Sequence, residues 1–325
     1  MPPRASHERC HLRCAKARLF LEAPYSTVLE QAGLVCFHHF FRMPGQELAS
    51  VHTAREAQRV CIGDRCAYLK REWRVTWRDR VQSWWYGYGP VSRSVREHLV
   101  LKDLVRHGFC VPPPMASGEN GTCAFLLLAE LQGFDPLGQV LRNLLDVGQR
   151  TWIIQLVADQ VARLHEAGYM HPDLYAKHVL VDVATGRVAF LDFQRTYRRR
   201  SVSFGQRCRD LAALDACLTS RLASSRERLV FLRTYLAVSR LPLSWRRPMI
   251  SAVVRRTHHL LKRRKIAVMR AILDPPGDIH CQIALRDGTQ AARADPDRIG
   301  AMLDAQRLAP LAAAGPSFPQ ERHAA

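Results

Sequence analysis

The 325-residue chain predicts an α+β fold of two lobes, a small β-rich N-lobe followed by a larger helical C-lobe. Strand-like runs occupy the first half, at 59–70 and 125–131, whereas helical periodicity dominates 149–167, 229–236 and 245–270. Gln132-Gly133 breaks the chain between the two regimes. Residues 168–195 then read as loop, strand, turn and strand, with Asp173 ahead of the first strand and Asp192 behind the second. The expected boundaries are a basic N-terminal extension at 1–45, an N-lobe at 46–130, a C-lobe at 131–275 and a poorly ordered tail at 276–325.

Composition supports a globular protein. Apolar residues make up 47% and charged residues 24%, enough for one two-lobed domain of about 230–260 residues plus tails. The net charge of +19 is unusual and attracts polyanions: nucleic acid, an anionic membrane surface or a phosphorylated glycolipid. Basic termini are the bland source of the same charge. Ten scattered cysteines suggest free thiols in a reducing compartment rather than a disulfide frame. Arg4, Arg9, Arg13 and Lys16 interrupt the N-terminal segment, and no apolar run reaches membrane-spanning length. These features point to the cytoplasm.

Taken in order, His7, Cys10, His11 and Cys14 place four soft-metal ligands close together, but adjacent Cys10 and His11 fit one tetrahedral ion poorly. A frayed leader is the expectation. Arg59 to Lys70 reads as a hairpin turning at Gly63-Asp64, with Lys70 ending the apolar run Ala67-Tyr68-Leu69. No glycine occurs from Ala49 to Arg59, so a glycine-rich phosphate loop is missing. Residues 71–90 interleave arginines with Trp73, Trp77, Trp84, Trp85, Tyr86 and Tyr88, and Trp73 and Trp77 are expected on one helix face. Packing between lobes is the leading reading of this stretch. Contact with lipid headgroups comes second, and stacking on single-stranded nucleic acid third. A helix follows at 92–108, stopped by Gly108, and a buried strand at 125–131 ends at the break. An amphipathic helix at 149–167 ends at Gly168 and hands the chain to the Asp173 loop. Basic residues stud 245–270, with Ile250, Val253, Val254, Leu260, Leu261 and Ile266 on another face.

The hairpin carries the chemistry. Phosphoryl transfer needs one carboxylate beside the attacking hydroxyl, which suits Asp173, and a second to hold Mg²⁺ against nucleotide phosphates, which suits Asp192. His171-Pro172-Asp173, His178 five residues later, and Asp192-Phe193-Gln194-Arg195 align with the kinase pattern H-R-D-x-x-x-x-N and D-F-G. A turn aspartate and a strand-end aspartate are the bland alternative, which the paired spacing disfavours.

These motifs resemble the lipopolysaccharide core kinases, the Kdo and heptose kinases, over roughly residues 60–275. Leu164, His165, Gly168, His171 and Asp173 match the family's L-H-x-x-G-x-x-H-x-D lead, Tyr175 its aromatic, and Asp192 with Arg195 its D-x-x-R. Val95-Arg96-Glu97-His98 is similar to its A-x-R-E-W segment. Arg209-Asp210-Leu211 resembles its K-D-L helix. Pro172 and Gln194 depart from the pattern. The resemblance implies a two-lobed protein-kinase-like fold using ATP and Mg²⁺. Asp173 would be the base, Lys70 would bind the phosphates and Glu97 would hold Lys70. Backbone at Ala129 and Leu131 would meet the adenine, and Asp192 with His178 the metal. Tyr175 and Arg195 would touch substrate, while Asp210 would support the loop. The implied acceptor is a Kdo or heptose hydroxyl of a lipopolysaccharide core, an anionic glycolipid at the inner face of the membrane. Peripheral contact with anionic membrane is a separate expectation, from the basic charge, the 71–90 stretch and the basic 245–270 helix, for which packing with a solvated basic face is the equal alternative; nucleic acid is not an expected partner. Two alternatives remain: a protein or small-molecule acceptor, or a non-enzymatic pseudokinase binding anionic lipid or nucleic acid.

Overall fold

The computed structural model describes residues 17–52, 55–218 and 222–273. The cysteine and histidine cluster at 7–14 and the expected tail at 276–325 lie outside the described residues. The chain divides into two compact units, Met1–Ile266 and Ala267–Ala325, and the fold below is that of the first.

Six antiparallel strands form the N-lobe sheet: β1 (Arg18–Leu21), β2 (Gln46–His52), β3 (Arg55–Ile62), β4 (Arg65–Glu72), β5 (Pro114–Asn120) and β6 (Cys123–Ala129). Their spatial order is β1-β5-β6-β4-β3-β2. The β3–β4 turn uses Gly63 at φ +58°, a conformation that suits a residue without Cβ. Strand β6 is apolar along its length because both faces are covered. Helix α4 (Arg93–Arg106) packs on one face, while α2 (Phe37–Arg42) packs on the other. Phe37 and Phe40 of α2 lie 5.5 and 4.8 Å from the Phe125 ring.

Two expectations need correction here. Residues 17–45 are not an extension outside the fold. They supply edge strand β1, paired with β5, then α1 (Ser26–Gln31) and α2, whose Leu29, Phe37 and Phe40 are fully buried. Both helices have six residues and lack side-chain caps, so they carry little local signal and depend on tertiary packing. Trp73 does not share a helix with Trp77. It lies in the bend after β4, edge-on to Phe41 at 4.5 Å, and α3 (Trp77–Trp85) starts beyond it with Thr76 and Asp79 as a capping box.

Helix α4 matches the expected helix: the Ser92 hydroxyl accepts from the Val95 N–H, and Gly108 follows at φ +80°. The C-lobe comprises β7 (Asp135–Pro136), α5 (Leu137–Asn143), α6 (Val147–Glu166), β8 (Val179–Asp182), β9 (Arg187–Phe190), α7 (Phe204–Asp215), α8 (Ser225–Val238) and α9 (Leu243–Leu273). Its core joins Ile153, Val157, Val161 and Leu164 of α6 to Leu211, Tyr235 and Val253. Of the apolar positions expected on α9, Val253 is buried whereas Val254 and Leu261 are exposed. The seven described cysteines are free thiols.

Candidate active site

Gly168 sets the path of the loop that follows α6. It sits at φ +90°, its carbonyl accepts from the Arg199 N–H at 2.9 Å, and an added Cβ would lie 2.0 Å from the Arg199 carbonyl oxygen. The loop then turns through His171, a buried residue with three tasks. Its backbone N–H donates to Asp210 Oδ2 at 2.6 Å, its Nε2–H donates to the Leu191 carbonyl at 2.9 Å, and its ring packs 4.8 Å from Phe193. One imidazole thus ties the loop to the end of β9.

Asp210 is fully buried on α7 and also faces His165 Nε2, though at 3.5 Å. The Tyr235 hydroxyl donates to His165 Nδ1 at 2.8 Å and accepts from Arg207. Burial alone would raise the Asp210 carboxyl, but His165 and the His171 N–H hold it below the ordinary carboxylate range. Burial pushes both imidazoles down, so each is neutral. Among the described residues His171 Nδ1 meets no hydrogen-bond partner, and a proton there would be stranded in the core.

The reactive side chains meet around this frame. Lys70 near the end of β4 places Nζ 2.8 Å from Glu97 Oε1 on α4 and 3.8 Å from Asp192 Oδ1. Glu97 Oε1 also accepts from the Phe193 N–H at 3.2 Å. Burial raises the Glu97 carboxyl. Burial would lower the Lys70 ammonium, but Glu97 and Asp192 outweigh it and keep the charge in place. Asp192 takes φ +62°, the one left-handed non-glycine conformation among the described residues. Its carboxyl, opposed by burial, is lowered by Lys70, His178 and His171.

His178 Nδ1–H donates to the Asp173 carbonyl at 2.8 Å, and its Nε2 lies 3.8 Å from Asp192 Oδ2. Among the described residues no three His, Cys, Asp or Glu groups form a closed metal cage. That nitrogen and the neighbouring carboxylate instead form an open pair of donors. It fits a divalent cation whose other positions are filled by water and phosphate oxygens. The Asp173 carboxylate accepts from Arg195 Nη1 at 3.0 Å, and Arg195 is otherwise exposed. Tyr175, its ring 5.6 Å from His178, lines an open groove with Pro136, Gln139, Arg142 and Lys177.

The structure therefore gathers Lys70, Glu97, Asp173, His178, Asp192 and Arg195 into one contact chain, with Tyr175 beside it. The hinge expectation narrows. The Ala129 N–H donates to Pro113 at 2.9 Å and the Glu130 N–H to Cys66 at 3.1 Å, so these two amides serve the sheet. Leu131 remains as a candidate adenine contact. Sequence reasoning missed Arg96 and Arg55. Arg96 is buried, and it donates to the Gln194 carbonyl at 2.7 Å and to the Ser83 hydroxyl at 3.1 Å. Arg55 donates to Gln194 Oε1 at 3.1 Å. Arg96 had a signal in its place beside Glu97; an arginine opening a strand had none.

Known proteins align with this arrangement. The model of the lipopolysaccharide kinase (Kdo/WaaP) family matches residues 46–235. A 3-deoxy-D-manno-octulosonic acid kinase of Xylella fastidiosa (strain M12) is 30% identical over 122 residues, 36% of this chain and 46% of the relative. One from Xanthomonas oryzae pv. oryzae (strain PXO99A) is 32% identical over 120 residues, 34% of this chain and 44% of that one. The chain spans about half the length of the curated relatives it matches. The solved structure of WaaP in complex with acyl carrier protein is similar in fold, with a TM-score of 0.56 and 23% identity, covering 75% of this chain and 99% of that one.

Proposed function

The chain belongs to the lipopolysaccharide kinase (Kdo/WaaP) family, and from that premise we propose that it moves the γ-phosphoryl group of ATP to a hydroxyl of Kdo in a lipopolysaccharide-core acceptor. The observation that carries this reading is the line of contacts Glu97–Lys70–Asp192–His178, which ends on the backbone carbonyl of Asp173, across a two-lobed protein-kinase-like fold. Lys70, kept charged by two carboxylates, suits the α- and β-phosphates. Asp192 and His178 would hold a divalent cation, Mg²⁺ by expectation, which neutralises phosphate charge when bound. Asp173 takes the proton of the acceptor hydroxyl as its oxygen bonds to the γ-phosphorus and ADP leaves. Arg195, exposed and paired with Asp173, suits a carboxylate or phosphate of the acceptor. Kdo is preferred over heptose because the curated relatives are named as Kdo kinases.

The test is phosphate incorporation from ATP into Kdo-bearing and heptose-bearing acceptors, wild type beside Asp173→Ala. Incorporation into the Kdo acceptor should fall by about 10²–10⁴-fold in the variant. An unchanged rate in Asp173→Ala, or no nucleotide turnover with any core acceptor, would refute the reading. Transfer to heptose alone would keep the kinase and reject Kdo.

A further inference from the structure

Helix α3 is built inside out. Trp77, Val81, Trp84 and Trp85 recur at i, i+4, i+7 and i+8, one face of a helix. Such a stripe normally faces a core. Here the four residues are 69%, 50%, 62% and 76% exposed, whereas the buried side carries Asp79 and Ser83. Those two polar groups fix the helix. Asp79 closes the capping box with Thr76 and pairs with Arg93, and the Ser83 hydroxyl donates to the Asp79 carbonyl while accepting from Arg96. Turning the tryptophans inward would break all of these contacts, so α3 presents them outward from a rigid mount.

The surroundings say what would cover them. Arg74 and Arg78 are exposed in the same segment, and the Arg78 guanidinium lies 5.7 Å from the Trp77 ring. Just past the helix, Tyr86 stacks on Tyr197 at 3.7 Å, and Arg198, Arg199 and Arg200 follow Tyr197, all exposed. Glu72 and Asp79, the only acids in residues 71–90, are both buried. Tryptophans edged by arginines, in a segment that exposes no acid, are complementary to anionic headgroups, where indole rings prefer to sit. It is repelled by a second copy of itself.

We propose that α3 seats the protein on an anionic membrane surface, with Trp77, Trp84 and Trp85 at headgroup depth and the flanking arginines on lipid phosphates. This attachment does not depend on the kinase reading. It meets that reading at one place: Arg96 and the Tyr86–Tyr197 stack join α3 to the segment after Asp192, so the membrane would lie beside the acceptor side of the site.

The test is sedimentation of the full chain with phosphatidylethanolamine/phosphatidylglycerol vesicles and with phosphatidylcholine vesicles, together with quenching of tryptophan fluorescence by brominated lipid. The wild type should bind the anionic vesicles and be quenched. Substituting Trp77→Ser, Trp84→Ser and Trp85→Ser together should lower partitioning about tenfold or more with an unchanged melting temperature. Arg74→Glu with Arg78→Glu should weaken binding to anionic vesicles as well, which keeps the question answerable if the triple variant folds poorly. No binding to anionic vesicles, or binding unaffected by either set, would overturn the proposal. So would equal binding to the phosphatidylcholine vesicles. A dimer dissolved by the triple substitution, or an acidic protein bound through the stripe in place of lipid, would assign the surface elsewhere and also overturn it. Loss of phosphate transfer alone would bear on the kinase reading and leave this one standing.

Discussion

Lys70 illustrates how single residues hold this site. Its ammonium faces Glu97 and Asp192, and removing it would leave Glu97 buried without its cation. Lys70→Met should lower stability by about 3 kcal/mol, read from urea denaturation, and abolish nucleotide binding. An unchanged midpoint would mean the pair is not the strut described here. The buried imidazoles act through protons. Burial depresses His165 and His171 in the folded chain, while their unfolded pKa stays near about 6.5. Below that pH the unfolded chain takes up protons that the folded chain refuses. Stability is therefore full above about pH 6.5 and falls as pH drops, by about 1.4 kcal/mol per pH unit for each histidine. The melting temperature should decline between about pH 7 and 5, less steeply in His171→Gln. Parallel profiles for the two proteins would exclude His171 as a contributor.

At the scale of elements, α6 and the loop after it were legible because a glycine and two histidines recur at fixed spacing around Asp173. The fit at Gly168 explains the spacing: a side chain there meets the Arg199 carbonyl and a left-handed backbone at once. Gly168→Ala should cost about 2 kcal/mol or more, because backbone rather than a flexible side chain must move. Circular dichroism melting measures it, and an unchanged transition would refute the close approach. The aromatic stretch was only partly legible. Packing holds for Trp73, Tyr86 and Tyr88, yet Trp77, Trp84 and Trp85 point away from the core. Composition cannot separate these cases, since the direction of α3 is set by Asp79 and Ser83 binding across to α4.

The whole molecule depends on a sheet larger than the sequence suggested. Strand β1 and helices α1 and α2 complete the N-lobe, and Phe40 lies fully buried against Phe125. Phe40→Ala should cost about 3–5 kcal/mol in urea denaturation, as expected for an aromatic ring removed from a packed core. A loss near zero would return residues 17–45 to the status of an appendage. Among the described residues no helix is long and apolar enough to cross a membrane. The exposed face of α3 is where we propose a bilayer contact.

The sequence by itself determined the features encoded by near neighbours. The β8–β9 hairpin between two aspartates, the lysine near the end of β4 and the glycine-stopped α4 all show in short-range spacing and residue type, while the Asp210 helix showed through the family resemblance. Only the tertiary structure decided which distant groups share a contact. Arg96 reaches a carbonyl 98 positions away and Arg55 a side chain 139 positions away; the neighbours of Arg96 mark its position but not its partner, and those of Arg55 mark neither. The six-residue helix α2 exists because Phe125 and the rest of β6 give its aromatic face something to cover, and α1 because its Leu29 joins the same core. Local propensity is too weak in so short a helix to declare itself, and packing supplies what propensity lacks.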